Sequence, residues 1–472
     1  MTGRGKPIAT FIVTSVALFM GSLDNLVVTM ALPAIKSHLH ASLSSLEWTV
    51  NAYTLTFAVL LLPGATLGDR FGRKKIFMIG LSIFTLASGL AALSTTANEL
   101  VAARALQGVG GAIITPLTLT LLSVAVPASK RGLALGAWGA IAGLAIAVGP
   151  VVGGAIVEGA SWSWIFWINV PIGVVLLPVA SRLLKESHGP ASKLDVVGTG
   201  LATAGLFSVV LALVKANDWG WGNGRTIGLF VAGAAFLATF VGWEARVANP
   251  VLPMRLFRNR GFTASNVASL FMFFGMFGSI FLLAQFLQVA HGYSPLSAGV
   301  RTLPWTAMPI FVAPVAGLLS DRIGGRRIVA AGLFLQAVGL GWLAATATPT
   351  VSYLTIVPGL AISGFGMALF FAPVANLVLS SVDHDEQGIA SGAHNAIREL
   401  GGVFGVAILA SVFAHSGSYR SPQAFTDGAV PAVWLGAVIV ALGGVAALLI
   451  PRRPRITEPA DVLMPGLEPL AA

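Results

Sequence analysis

The chain carries 56% apolar residues and only 10% charged ones over 472 positions, against ~25% charged in an ordinary soluble domain, which excludes a string of solvated globular domains. Its 28 bases and 18 acids leave a net charge of +10, yet the bases are scattered rather than massed on one face, which excludes a nucleic-acid footprint. With no cysteine anywhere, disulfide scaffolds, thiolate zinc sites and cysteine nucleophiles are excluded as well.

A membrane-spanning helix needs about 20 mostly apolar residues. A window of that length predicts fourteen spans in chain order, at 8–33, 48–68, 76–96, 99–124, 133–157, 163–182, 195–214, 226–245, 262–290, 298–319, 328–347, 352–380, 388–414 and 430–450. The first has charged flanks, an internal Asp, no small-residue cleavage site and too long an apolar run for a signal peptide, so it is expected to be retained as a helix. The longest loops, near 183–194 and 246–261, leave no room for a soluble domain. Beyond Pro451 the sequence is Pro-rich and aperiodic, and 451–472 is expected to be a disordered cytoplasmic tail.

Lys and Arg concentrate on the cytoplasmic side of membrane proteins. With the N-terminus inside, 21 of the 28 bases fall in cytoplasmic segments and five outside, while Arg104 and Arg398 lie within helices. An odd number of helices would place Arg452, Arg453 and Arg455 outside, so fourteen helices with both termini cytoplasmic is the expectation.

Two of the cytoplasmic loops are alike. Leu67-Gly68-Asp69-Arg70-Phe71-Gly72-Arg73-Lys74 follows helix 2, and Leu319-Ser320-Asp321-Arg322-Ile323-Gly324-Gly325-Arg326-Arg327 follows helix 10. Their offset, 321 − 69 = 252 residues, is eight helices, whereas a transporter built of two parallel six-helix halves repeats after six. Two extra helices are therefore expected in the middle: a six-helix bundle over 1–190, two central helices with linkers over 191–260, and a second six-helix bundle over 261–450. Asp69, Arg70, Gly72 and Arg73, with Asp321 and Arg322 in the second copy, read as an electrostatic cluster on a tight turn. Such a cluster can latch the cytoplasmic mouth and break as the halves rock; bases beside a span also serve as plain orientation signals.

A charge at the bilayer centre costs ~2.5–3.5 kcal/mol, so ionisable groups inside spans are functional candidates. Four stand out: Asp24, Arg104, Arg398 and Glu399. Asp24 lies nine residues before Pro33, about 13 Å deep, and Arg104 five residues after Glu99, about 8 Å deep, at 1.5 Å per residue. Both fall in the outer half of the membrane, where they can share a cavity or be linked through Gln107. Burial raises a carboxyl pKa and a nearby Arg lowers it, so an Asp poised between the two can exchange protons; a fixed structural pair with Arg104 is the other reading. Glu399 lies about 18 Å into helix 13, near the midplane, and Arg398 beside it points about 100° away. His394 and Asn395 precede it by about one turn, His394 reading as a satisfied hydrogen-bonder. Gly149-Pro150 kinks helix 5 by removing a backbone donor, and Gly139, Gly143, Gly153 and Gly154 permit close helix packing. Trp162, Trp164, Phe166, Trp167, Trp219 and Trp221 sit at span ends as interface belts. In helix 9, Phe271, Phe273, Phe274, Phe277 and Phe281 with Met272 and Met276 form either an adaptable apolar site or a lipid-facing stripe, and Gln285 and Gln288 are better cavity candidates.

Several of these stretches carry a family resemblance. The loop after helix 2 resembles the first signature of the major facilitator superfamily, with Ala65 where that signature opens on Gly; the second copy keeps Gly317. Arg104-Ala105-Leu106-Gln107-Gly108 is similar to its Arg-x-x-Gln-Gly signature, and Gly149-Pro150-Val151-Val152-Gly153-Gly154 to its antiporter signature. Leu23-Asp24-Asn25-Leu26-Val27-Val28-Thr29-Met30-Ala31-Leu32-Pro33 resembles the helix 1 motif of the fourteen-helix drug/proton antiporter branch, with Leu26 and Thr29 replacing polar neighbours of the Asp.

The resemblance implies an all-α polytopic membrane protein with the major facilitator fold, fourteen transmembrane helices arranged six, two, six. It implies a monomeric proton-coupled exporter of the multidrug efflux type in the cell membrane, moving amphipathic drugs or antibiotics, cationic ones included, by alternating access. It further implies that Arg104 is central to proton transfer by tuning a partner carboxyl, and that helix 5 seals against leak. Glu399 stands where related transporters often have Gln. A symporter or uniporter for a small metabolite is the alternative on the same fold. No phosphate-binding Gly-x-x-x-x-Gly-Lys-Ser/Thr loop, metal-ligand set or nucleophile–base pair is present, so neither ATP drive nor enzyme chemistry is expected. No cofactor is expected beyond a proton gradient; the partners are the substrate, protons and the bilayer. Abundant Ala, Gly, Val and Arg with scarce Lys is a high-GC bacterial bias and suits an exporter of secondary metabolites.

Overall fold

A computed structural model describes residues 5–127, 130–189, 195–383 and 386–451. The tail expected to be disordered lies, from 452 on, outside the described residues. Fourteen helical stretches run through the described chain: α1 Gly5–His38, α2 Leu43–Phe71, α3 Arg73–Leu93, α4 Ala97–Ala125, α5 Arg131–Gly159, α6 in two pieces (Trp164–Trp167 and Asn169–Leu183), α7 Val196–Trp219, α8 Gly224–Glu244, α9 Arg260–Gln285 extended by a π-helical turn Phe286–Ala290, α10 in three pieces (Pro295–Arg301, Leu303–Thr306 and Met308–Ile323), α11 Gly325–Thr346, α12 Tyr353–Leu379, α13 Gln387–Ser416 and α14 Pro422–Leu448. Among the described residues thirteen are long and apolar enough to cross a membrane, and α5 contributes the shorter apolar stretch Gly143–Gly159.

Each predicted span coincides with one helix, and the differences lie at the ends. α1 continues through Pro33 to His38, so Asp24 sits fourteen residues from its end, about 21 Å, deeper than the Pro33 boundary suggested. α2 opens at Leu43 on a Ser42 cap that accepts from Ser45 N, which brings Glu47 inside the helix. α14 starts at Pro422 behind the Ser421 cap, eight residues before the predicted 430. α4 begins where Thr96 and Glu99 satisfy each other's backbone N–H groups in a capping box.

α1–α6 pack together around α4, with α2 and α3 against it, α1 against α5 and α3 against α6. α9–α14 pack in the corresponding way, with α11 on α12 and α14, and α9 on α13 and α14. The two groups meet along α2–α13 and α5–α10. α7 and α8 pack on each other, and α7 also covers the α2–α13 seam, where Leu206, Val210 and Val214 join Leu55, Val403 and Ala407 in one buried cluster.

The internal repeat is visible in the backbone. Gly72 closes α2 and opens α3 at φ +106°, ψ 120°, its N–H bonded to the Gly68 carbonyl; Gly324 closes α10 and opens α11 at φ +91°, ψ 130°, its N–H bonded to the Ser320 carbonyl. Positive φ is the reason both are glycine, and 324 − 72 is the same 252 residues. These two turns, with Arg70, Arg73, Lys74, Lys75, Arg322, Arg326 and Arg327 around them, mark the basic end of the bundle.

Candidate functional site

Asp24 is the centre of a buried polar cage in the first helical group. Its Oδ2 accepts from Arg104 Nη1, and its Oδ1 accepts from Gln107 Nε2 at 2.8 Å and Asn169 Nδ2 at 3.0 Å. Gln107 Oε1 in turn accepts from Arg104 Nη1 at 2.7 Å, and its Nε2 also reaches Ser88 Oγ at 2.9 Å. Arg104 Nε donates to the Thr49 carbonyl at 3.0 Å, and the guanidinium lies 4.4 Å over the Tyr53 ring and 5.7 Å from the Phe166 ring. Asp24, Arg104, Gln107, Asn169 and Ser88 are all buried. The i,i+3 spacing of Arg104 and Gln107 puts both on one face of α4, which is how one helix supplies two arms to one carboxylate. Arg104 Nη2 has no hydrogen-bond partner.

The second candidate centre is on α13. Glu399 is buried and its Oε1 accepts from Arg398 Nη2 at 3.1 Å. Adjacent residues on an unbroken helix thus pair by bending long side chains toward each other, and no backbone bend is needed. Arg398 also lies 5.0 Å over Phe273 of α9. Glu399 Oε2 has no protein partner. Tyr53, whose ring lies beneath the Arg104 guanidinium, belongs to α2, the helix packed against the α13 that carries Glu399. His394 Nδ1 bonds Asn266 Oδ1 at 3.1 Å, as a structural histidine does. Asn395 is half-buried.

Gln285 is fully buried, donates to the Phe281 carbonyl at 2.8 Å and accepts from Tyr419 Oη. Gln288 donates to the Met30 carbonyl of α1 at 3.1 Å and so ties the halves together. Met272, Phe273, Phe274, Met276 and Phe281 are buried, against the lipid-facing reading for these members of the α9 stripe, while Phe271 and Phe277 are half-buried. Trp164 and Trp221 are exposed, whereas Trp162 and Phe166 are buried, Phe166 as part of the wall around Arg104.

The α5 glycines act at two faces. A Cβ on Gly149 or Gly153 would meet Leu26 or the Val27 carbonyl of α1 at 2.9 Å; one on Gly154 would meet the Pro295 carbonyl of α10 at 2.3 Å, and one on Gly299 the Pro150 carbonyl at 2.2 Å. Backbones this close allow only glycine. Leu296 N donates to Glu158 Oε2 at 3.0 Å and Thr306 Oγ1 to the Ala147 carbonyl at 3.2 Å, also joining α5 and α10. This crossing lies toward the end of the bundle opposite the basic end.

At the basic end, Asp69 Oδ1 accepts from Arg73 Nε at 2.7 Å, and Arg70 lies over Phe71. The segment after α6 folds onto this turn: Glu186 accepts from Lys74 N and Lys75 N at 2.9 and 3.1 Å, Arg73 N donates to the Ser187 carbonyl, and Gly189 N to the Asp69 carbonyl. The Asp69 cluster is therefore fastened to the segment following its own six helices. Arg322 is exposed; the side chain of Asp321, and the surroundings of Gly139, lie outside the described residues.

Four contributors were missed in the sequence. Asn169 and Ser88 complete the Asp24 cage, and an Asn six residues inside the predicted 163–182 span is a usable signal; Ser88, among many serines, is not. Glu47 and Asn51 of α2 are buried at 1% and 0% exposure. A span starting at 48 leaves Glu47 outside it, and Asn51 carries no charge to mark it within an apolar run.

A polytopic helical bundle with a buried Asp–Arg–Gln cage, two matched halves and a glycine crossing between them is a membrane transporter. The chain belongs to the Major Facilitator Superfamily, whose pattern matches residues 14–406 and again 266–466. It is 33% identical over 435 residues to the tetracenomycin C resistance and export protein of Streptomyces glaucescens, covering 91% of this chain and 80% of that one. It is 34% identical over 407 residues to the multidrug resistance protein Stp of Mycobacterium tuberculosis, covering 86% and 75%. Its fold matches the inward-facing, unoccupied structure of a bacterial homolog of the human lysosomal transporter Spinster at a TM-score of 0.65 and 15% identity, over 95% and 97% of the chains.

Proposed function

We propose that this protein is a proton-coupled exporter of amphipathic drugs or antibiotics, of the fourteen-helix branch, with six, two and six helices. The observation that carries the reading is the Asp24 cage: a carboxylate buried in the transport fold and held by Arg104, Gln107 and Asn169. Burial disfavours the charged carboxylate and the guanidinium favours it, so a proton arriving at Asp24 releases Arg104, and a departing proton restores the bond. The closed α5–α10 crossing supports alternating access, since it seals one end while the basic end carries the latch. Relatives named for resistance and export support the drug class.

The positive-inside bias supports a cytoplasmic basic end, with the α5–α10 crossing at the external face of the cell membrane. Asp69 and Arg73 then act as the cytoplasmic latch, with Asp321 and Arg322 as its second copy. Each inward proton contributes about 2.3 kcal/mol per 100 mV. Glu399 beside Arg398 serves cationic compounds, with Asn395, Gln285 and Gln288 as further polar contacts.

In everted membrane vesicles acidified inside, adding ethidium or tetracenomycin C should alkalinise the lumen as protons leave in exchange. If neither compound moves protons yet either is transported, the antiport reading is wrong and the uniporter alternative stands.

A further inference from the structure

Asp24 and Glu399 do not exhaust the buried polar groups. On α2, Glu47 and Asn51 are one helical turn apart and so share a face, and Leu62 on the same helix fills the space beside Gly392 of α13, only 2.3 Å from where a Cβ would stand. α2 and α13 run antiparallel, so this contact sets their register: Glu399 lies opposite position 55, Asn51 about one turn beyond it, and Glu47 another turn on. From the level of Glu399 to Glu47 is eight residues of α2, about 12 Å. The groups are buried at 1%, 0% and 5% exposure for Glu47, Asn51 and Glu399. No protein group bonds Glu47 Oε2, either amide atom of Asn51, or Glu399 Oε2. Buried polar atoms are satisfied by protein or by ordered water, and a site holds water when it offers several polar partners.

We propose that the α2–α13 seam, roofed by α7, is a hydrated proton path from Glu47, its entry carboxyl near the external face, past Asn51 to Glu399. It rests on the antiport reading and adds to it a second proton route beside the Asp24 cage, both being required for uphill transport. The charged and titratable groups around the outer end are Lys215 and Asp218 of α7, paired with each other at 2.9 Å, and Tyr419, under the Lys36 ammonium. Around the inner end they are Arg398 on α13 and Tyr53 on α2, and His394 lies toward α9. Lys215 and Asp218 neutralise each other, so Glu47 has no dedicated basic partner of the kind Asp24 has. A carboxyl without a fixed partner exchanges its proton without first breaking an ion pair.

Two measurements test this. Hydroxyl-radical footprinting of the purified protein reads water directly: buried Leu55 and Val403 on the seam are expected to be oxidised, and less so in Asn51→Leu. No oxidation at either position overturns a hydrated seam, whatever drives transport. In proteoliposomes with ethidium as the probe, an imposed pH gradient is first applied to the wild type; if it drives no accumulation, it is the antiport reading that fails. With coupling present, Glu47→Gln is expected to lose gradient-driven accumulation while ethidium counterflow continues at the wild-type rate, and Glu47→Asp to recover it. Wild-type accumulation by Glu47→Gln, or equal loss of accumulation and counterflow, overturns the path.

Discussion

Asp24 and Glu399 are both carboxylates sealed inside one bundle, yet their surroundings differ in kind. Both oxygens of Asp24 are bonded, to donors from α4 and α6, and its basic partner is itself held by Thr49 and Gln107. Glu399 has one bond, at 3.1 Å, to a neighbour on its own helix that is a third exposed, and one oxygen with no protein partner. Removing one member of a buried ion pair strands the other, whereas a half-satisfied group has its remaining bonds with water or with whatever enters. The first arrangement fixes helices α1, α4 and α6 to each other in one charge state; the second leaves α13 adaptable where it faces α2.

The largest effect is expected at the cage. Arg104→Ala strands Asp24 and should cost about 3–5 kcal/mol, read as a marked drop in the unfolding temperature of the purified protein, whereas Arg398→Ala should barely move it. Equal drops would erase the contrast. Next is the α5–α10 crossing. Gly154→Leu forces side-chain atoms into the Pro295 backbone, costing about 1–3 kcal/mol, and should hold the crossing open. The chain has no cysteine, so a single Thr306→Cys reports directly: its maleimide labelling should be slow alone and fast with Gly154→Leu.

Glu399→Gln should be milder. Downhill export of ethidium is expected to fall about tenfold, or ~1.4 kcal/mol, with downhill export of neutral compounds little affected; an equal downhill loss for both would mean that Glu399 belongs with Asp24 rather than apart from it. Smallest is His291, just beyond the helical turn that ends α9. Its ring stacks on Tyr293 and meets Phe286 edge-on, and burial holds its pKa below the usual 6.5. The folded state thus prefers neutral imidazole, so its contribution is present above pH 6.5 and lost as pH falls through the lowered folded value. His291→Gln should flatten the acid side of the melting-temperature profile; an unchanged profile would show that this histidine does not contribute.

The spans, the two-copy turn and the closeness of Asp24, Arg104 and Gln107 were legible in the sequence, because charge inside an apolar run and a repeated Gly turn are rare. The remaining cage was not, since uncharged Ser88 and Asn169 look like ordinary helix residues until the helices are packed. Glu47 was lost to a five-residue boundary error, the cap at Ser42 lying outside the hydropathy window. Backbone angles set Arg398 about 100° from Glu399 and carry no information on how far two long side chains lean toward each other.

The central claim is that a proton on Asp24 drives export. Proteoliposomes with ethidium or tetracenomycin C at equal concentration on both sides and given a pH jump test it directly. Wild-type protein should move the compound against its gradient, while Asp24→Asn should only equilibrate it at an unchanged counterflow rate. Uphill transport by Asp24→Asn at the wild-type level would contradict the account and leave Asp24 a structural partner of Arg104.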